Sequence, residues 1–240
     1  GTVGDRVEVV LDKTPFYGES GGQIGDCGLL CIDSLDLEGV LVEIDTVTRN
    51  SNIFVHSGRV KHGTLKIGDL VHGRVDNIFR RKAKAHHTST HLLQSALKQV
   101  IDAEISQAGS LVDFDHLRFD FYCSRSISPS ELNQIEQLIN CWISEAHSLK
   151  VQEMTLEDAK ALGATAMFGE KYGKVVRVVD VPGVCMELCG GTHVANTIEI
   201  GLFKVISETG IAAGIRRIEA VAGPAVLDYF NERDIVVKQL

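Results

Sequence analysis

Arg80-Arg-Lys-Ala-Lys-Ala-His-His-Thr-Ser-Thr-His-Leu-Leu, the stretch that ends at Leu93, is where this chain passes from one kind of sequence to another. From about Ala83 to Ile101 the apolar positions recur with helical spacing, and Leu93, Ala96, Leu97 and Val100 fall on one arc. With His87 at zero, an advance of roughly 100° per residue puts His91 at about 40° and that arc at about 180–280°. The two histidines therefore stand one turn apart on the same face, away from the apolar side. That placement favours a metal ligand pair or a polar cleft over core packing. Two histidines are only half of a metal site, so the remaining donors must come from elsewhere in the chain.

Upstream, residues 1–78 read as β. Arg6–Leu11, Gly28–Asp33, Val40–Thr48, Ile53–Val60 and Asp69–Val75 are short segments rich in Val, Ile and Leu. Turns such as Asn50-Ser-Asn and Lys61-His-Gly separate them. That spacing predicts a small barrel or sandwich. The segment Thr14-Pro-Phe-Tyr-Gly-Glu-Ser-Gly-Gly-Gln-Ile-Gly-Asp breaks the pattern, and Gly21 and Gly22 would let its backbone approach another group closely.

Downstream, Gly109-Ser-Leu-Val and Leu117-Arg-Phe-Asp-Phe-Tyr read as strands. Ser128, Pro129 and Glu131 then open a helix with a capping box, whose buried stripe is Leu132, Ile135, Leu138, Ile139, Trp142, Ile143 and Ala146. Thr155 with Asp158 starts a shorter helix that Gly163 ends. Lys174–Val181, Ile198–Ser207 and Arg217–Ala222 read as strands, and Pro224 opens a last helix running to Leu240. The expected class is α+β: a small β-barrel-like subdomain over 1–78, a mixed helix and antiparallel-sheet core over 79–223, and the start of a C-terminal helix over 224–240.

Composition narrows the function. The 240 residues, 44% of them hydrophobic, suffice for a sizeable core, and no apolar run approaches the roughly 18 residues of a membrane span. The chain opens directly on a strand-like run with no signal-peptide pattern, and reads as a segment of a longer chain. Six cysteines are too sparse for a disulfide framework, which points to a reducing compartment: the cytoplasm, or a plastid or mitochondrial matrix. A net charge of -8 argues against nucleic-acid binding over the whole surface, but not against a local basic patch at Arg80–Lys84.

One place supplies donors that match the histidine pair. In Glu187-Leu-Cys-Gly-Gly-Thr-His-Val, Cys189 and His193 have the same spacing of four, and Gly190 and Gly191 argue for a tight turn rather than a helix. His87, His91, Cys189 and His193 make a set of three nitrogens and a sulfur that suits Zn²⁺, with Cys185 as the competing thiol. A zinc-protease helix would need a glutamate where Thr88 stands, so that chemistry is excluded. There is neither a Walker loop nor a dinucleotide fingerprint.

With both halves quoted, the chain resembles the editing region of the alanyl-tRNA synthetase family. His87-Thr-Ser-Thr-His-Leu-Leu and Cys189-Gly-Gly-Thr-His-Val are similar to that family's two zinc motifs. Thr14-Pro-Phe-Tyr-Gly-Glu-Ser-Gly-Gly-Gln is similar to its glycine motif. Gly109-Ser-Leu-Val, Leu117-Arg-Phe-Asp-Phe and Gly210-Ile-Ala-Ala-Gly-Ile-Arg-Arg-Ile-Glu resemble further blocks. Free-standing relatives of the domain tend to carry Gly-Gly-Gly-Gln where this chain has Ser20-Gly-Gly-Gln, so the likeness is to the editing domain of the full synthetase. The last helix resembles the entry to that enzyme's C-terminal part, and no aminoacylation domain is present.

The resemblance implies hydrolysis of seryl or glycyl esters wrongly attached to alanine tRNA, with Zn²⁺ held by His87, His91, Cys189 and His193. It implies that Thr90 and Gln107 line the pocket and contact the amino-acid hydroxyl or a water. Arg80, Arg81, Lys82 and Lys84 would meet the phosphates of the acceptor end, and Arg216 and Arg217 would either reach the tRNA or pair with carboxylates. Partners on this reading are tRNA(Ala) and the other domains of the same enzyme. Two other readings stand beside it: a non-catalytic tRNA-binding module with structural zinc, and a metal hydrolase of small esters.

Overall fold

Alternating apolar and polar residues build five strands in the first part of the chain: β1 (Arg6–Val10), β2 (Gly28–Cys31), β3 (Leu41–Asn50), β4 (Ile53–His62) and β5 (His72–Val75). The structure is a computed structural model that describes residues 1–32, 39–166 and 173–239. Asp33 and Leu240, the expected ends of a strand and of the last helix, lie outside the described residues. The five strands pair antiparallel in the order β1-β4-β3-β2-β5. The expected barrel does not close: among the described residues this is an open sheet with β1 and β5 as its edges. β2 and β5 supply four residues each, and among the described residues no pairing joins β5 to β1.

Phe16, Leu30, Val42, Ile44, Val47 and Val60 form the core of this part, so the glycine segment contributes a buried aromatic and is not a plain loop. Its tip is a two-residue turn closed by Ser20 N–H to the Gln23 carbonyl at 3.2 Å and Gln23 N–H to the Ser20 carbonyl at 3.0 Å. Gly21 and Gly22 take φ values of 57° and 80°, left-handed at both positions, which is why the turn needs glycine twice. Gly25 serves differently, because a Cβ there would meet the Val47 carbonyl oxygen at 2.0 Å.

The second part begins its structure earlier than helical periodicity alone indicates. Asp76 accepts from Ile78 N–H at 2.9 Å and Phe79 N–H at 3.2 Å, capping a helix α1 that runs Asn77–Val100. Then come β6 (Gln107–Val112), β7 (Leu117–Tyr122), α2 (Pro129–Ser144), β8 (Lys150–Thr155), α3 (Leu156–Ala161), β9 (Val175–Val181), β10 (Cys185–Leu188), β11 (Phe203–Ala212), β12 (Ile215–Ala222) and α4 (Pro224–Lys238). Two antiparallel sheets result, ordered β11-β12-β7-β6 and β10-β9-β8. The class is α+β, as expected.

The capping box of α2 forms as read, with Ser128 accepting from Glu131 N–H and Glu131 accepting from Ser128 N–H. The helix nevertheless stops at Ser144, and Ala146, expected in its stripe, turns the chain with φ at 58°. Ile198 was expected to open a strand. Instead Asn196 and Glu199 cap a 3₁₀ turn over Thr197–Ile200, and the strand begins at Phe203. Local side-chain hydrogen bonds outcompete the β-branched residues there.

The chain divides into two compact units, Gly1–Arg81 and Lys82–Leu240. In the second, Leu92, Leu93, Ala96 and Leu97 of α1 pack with Leu117, Phe119 and Phe121 of β7, Ile135 and Ile139 of α2, and Ile218 and Ala220 of β12. Burying Phe119 or Phe121 contributes about 1.5–3 kcal/mol each. This apolar face fixes the roll of α1, and so decides where its histidines stand.

Candidate metal centre

His87 and His91 lie on the side of α1 opposite the packed arc, yet they too are buried. What covers them is the segment that follows β10. His87, His91, Cys189 and His193 each present one donor atom, and these atoms all lie within 4.8 Å of one another. Cys189 Sγ is 3.3 Å from His87 Nε2 and 3.2 Å from His193 Nε2. A tetrahedron with Zn–S near 2.3 Å and Zn–N near 2.0–2.1 Å places a sulfur and a nitrogen about 3.5 Å apart. The donor set thus fits a borderline divalent ion in both chemistry and spacing.

The turn carrying Cys189 is held by Arg177 of β9, whose guanidinium donates to the Cys189 and Gly191 carbonyls at 2.8 Å each. Cys189 N–H returns a bond to the Arg177 carbonyl at 3.0 Å. Residues 189–191 are non-helical, as the paired glycines led one to expect. Cys185, the competing thiol, lies outside the four-donor group, and burial pushes its thiol up to about 11.

Electrostatics pull the groups of the cluster in different directions. Burial alone would raise the Cys189 thiol, but His87 and His91 beside it hold it well below its usual range. Burial and then the neighbouring His87 push His193 down to about 3, leaving it neutral with a lone pair to offer. Burial works to lower His91 as well, but the Glu187 carboxylate and Cys189 carry it above its usual value. Coordination needs a thiolate and neutral imidazoles, so a metal would bind this group in competition with protons.

The histidines also have partners that pattern reading passed over. His91 Nδ1 is bonded to Glu187 Oε2, and Gln94 Nε2 donates to Glu187 Oε1 at 3.2 Å. His193 Nδ1 lies 3.2 Å from Thr88 Oγ1, which also accepts from Val194 N–H at 3.2 Å. The signal for Glu187 was present in the motif itself, a carboxylate two residues before a ligand-type cysteine. For Thr88 and Gln94 no pattern distinguishes a partner from an ordinary helix residue.

The other site candidates are spread more widely. Thr90, buried one residue before His91, donates its hydroxyl to the His86 carbonyl at 2.9 Å. Gln107 opens β6 and donates to Ser110 Oγ at 3.1 Å. Arg80 is committed within the first unit: Nε donates to Asp26 Oδ1 at 2.8 Å, Nη2 pairs with Asp26 Oδ2 and donates to the Pro15 carbonyl at 3.0 Å. Arg216 pairs with Glu208 at 2.6 and 2.8 Å, and Arg217 with Asp120 at 2.7 and 2.8 Å, both bidentate. Lys82 lies 3.4 Å from Asp115, Arg81 is exposed and Lys84 is partly exposed. No described helix is long and apolar enough to cross a membrane.

Residues 176–219 match the model described as the threonyl and alanyl tRNA synthetase second additional domain, and residues 2–79 match that of the class II (A) tRNA synthetases. The chain is 68% identical over 237 residues to the alanine–tRNA ligase of Synechococcus sp. strain WH7803, covering 99% of this chain and 27% of that ligase. It is 66% identical over 239 residues to the alanine–tRNA ligase of Prochlorococcus marinus strain MIT 9303, covering 100% of this chain and 27% of the ligase. The chain thus spans about a quarter of the length of the relatives it matches. With the second-additional-domain match and an identity of 66–68% sustained from end to end, the chain matches over its whole length the segment of the alanyl-tRNA synthetases that carries this domain.

Proposed function

We propose that this chain hydrolyses the ester of seryl or glycyl residues wrongly attached to tRNA(Ala), with Zn²⁺ held by His87, His91, Cys189 and His193. The observation that supports it best is the convergence of four donors, from segments about a hundred residues apart, in a chain whose relatives are alanine–tRNA ligases. The need for such an activity is physical: an apolar pocket tells ligands apart by one small group with only about 1–3 kcal/mol, so a second sieve is required. Zn²⁺ held by these four residues would supply Lewis acidity toward an ester carbonyl or a water.

The protein's own groups do the rest. The Thr90 proton is committed to the His86 carbonyl, so its oxygen offers only lone pairs and suits a donor such as the hydroxyl of a seryl group. A site that bonds a substrate hydroxyl rejects the analogue lacking it far more strongly than an apolar pocket does, which separates seryl from alanyl esters; a glycyl ester, with no side chain, leaves room for a water at the same oxygen. Gln107 is the second pocket residue in this reading. Arg81, Lys82 and Lys84 meet the acceptor-end phosphates, whereas Arg80, Arg216 and Arg217 contribute through the surfaces their carboxylate pairs hold in place. The working divisions are 1–78, 79–223 and 224–240.

A second reading has one observation in its favour. Four protein donors complete a tetrahedron, the pattern of structural zinc. A non-catalytic tRNA-binding module of that kind would bind tRNA(Ala) and leave Ser-tRNA(Ala) to decay at its uncatalysed rate. Incubating the 240-residue chain with Ser-tRNA(Ala) and, separately, Ala-tRNA(Ala) separates the two. The editing reading expects rapid loss of the seryl ester with the alanyl ester spared. Equal, background rates for both would end it.

A further inference from the structure

The two halves of the donor cluster are bound to each other by more than their donors. His91 sits on α1, but the carboxylate on its Nδ1 is Glu187 of β10. His193 belongs to the segment after β10, but the hydroxyl at its Nδ1 is Thr88 of α1. Each half therefore supplies the outer partner for the other half's histidine. The arrangement is well enclosed: Glu187 is 7% exposed and Thr88 is fully buried. Both oxygens of Glu187 are engaged, Oε2 by His91 and Oε1 by the Gln94 amide at 3.2 Å, so the carboxylate cannot swing away from the ring.

An imidazole can present either nitrogen to a metal, and which it presents is set by the hydrogen bond made by the other. A carboxylate is acceptor-only when ionised, so against it His91 Nδ1 carries a proton, and Nε2 is the nitrogen that a metal would take in place of a proton. Thr88 Oγ1 already accepts from Val194 N–H, and its second lone pair can accept from a protonated His193 Nδ1, the tautomer that leaves that ring's Nε2 facing Cys189 Sγ at 3.2 Å as a donor to a metal. Thr88 stands where a zinc-protease helix carries its general base, and here that position serves orientation.

We propose that Glu187, fixed by Gln94, is a positioning residue that holds His91 in its metal-ready tautomer, with Thr88 doing the same for His193, and that this reciprocal clamp sets the metal affinity of the site. This rests on the metal reading given under Proposed function. Outer partners of ligating histidines are generally worth about 10–100-fold in metal affinity.

The test is Zn²⁺ affinity of the 240-residue chain, measured by competition with a chromogenic chelator, together with the Co²⁺ ligand-field spectrum. Glu187→Gln should bind about tenfold more weakly and Glu187→Ala closer to a hundredfold, while Co²⁺ in Glu187→Gln keeps the tetrahedral band intensity of the parent because the donors are unchanged. A role confined to folding would lower the melting temperature of the metal-free chain and leave the affinity of the folded protein alone, and that result overturns the proposal. Should the Glu187 variants fail to fold, Gln94→Met and Thr88→Val decide: weaker binding with the carboxylate intact upholds the clamp, and parental affinity overturns it. A parent chain that binds no Zn²⁺ removes the metal reading itself, an outcome distinct from a parent that binds tightly and variants that bind just as well.

Discussion

Removing the Asp26 carboxylate should destabilise the first unit by about 3 kcal/mol. Asp26 is only 2% exposed, and it accepts from Arg80 through both Nε and Nη2 and from Tyr17 N–H at 2.5 Å. In Asp26→Ala the guanidinium keeps only the Pro15 carbonyl at 3.0 Å. Stranding a buried charge by deleting its partner costs about 3–5 kcal/mol. The Arg80 side chain is 22% exposed, so water relieves part of this and the lower end applies. In a unit of this size each kcal/mol moves the melting temperature by about 4–8 °C, so a fall of at least about 10 °C is expected by circular dichroism. A fall under about 3 °C would show that the pair is not holding the glycine segment, and would return Arg80 to the set of side chains available to phosphate.

Other outcomes follow from the same geometry. Gly25→Ala should be at least as damaging as Asp26→Ala in thermal melts, because its Cβ would lie 2.0 Å from the Val47 carbonyl oxygen and only main-chain movement relieves that contact. Burial pushes His86 down to about 4, whereas an unfolded histidine titrates near 6.5. The unfolded chain therefore takes up more protons between those values, so the contribution of a neutral His86 is complete above about pH 6.5 and is lost as pH falls towards 4, about 3 kcal/mol in all. His86→Asn, which keeps a donor for the Asp113 carbonyl, should flatten that part of the stability–pH curve; an unchanged slope refutes the assignment. Thr90→Val removes the acceptor offered to a seryl hydroxyl and should lower the Ser-tRNA(Ala) deacylation rate at least tenfold; a rate within twofold of the parent would take Thr90 out of the pocket.

What the sequence shows and what it hides can be argued residue by residue. The four donors are legible because each pair carries a spacing that serves no core: His87 and His91 stand off the apolar arc of α1, and two glycines separate Cys189 from His193. The capping boxes of α2 and of the 3₁₀ turn at Thr197 are equally local, although in the second the β-branched run from Ile198 reads as a strand until the Asn196 and Glu199 side chains are considered together. The start of α1 at Asn77 was hidden for the same reason: a single Asp76 oxygen decides it, and Asp is common before any turn.

Tertiary pairing is where reading along the chain fails. Arg80 lies in a run of positive charge that looks made for phosphate, yet its partner is 54 positions away in sequence. Arg217 and Asp120 are 97 apart, and Gln94 and Glu187 are 93 apart. No periodicity connects such positions: the β12–β7 register sets Arg217 opposite Asp120, and only the folded chain brings the other two pairs together. The open edge of the first sheet is hidden likewise, since strand count and spacing are the same for a sheet that closes and one that does not.

The most direct measurement of the account is the dependence of Ser-tRNA(Ala) deacylation on metal. The chain should lose the activity on treatment with a strong chelator and regain it on adding back one equivalent of Zn²⁺, and Cys189→Ala should neither bind the ion tightly nor recover. Deacylation that continues at the parental rate in the metal-free chain, or in Cys189→Ala, would contradict a function centred on the four converging donors.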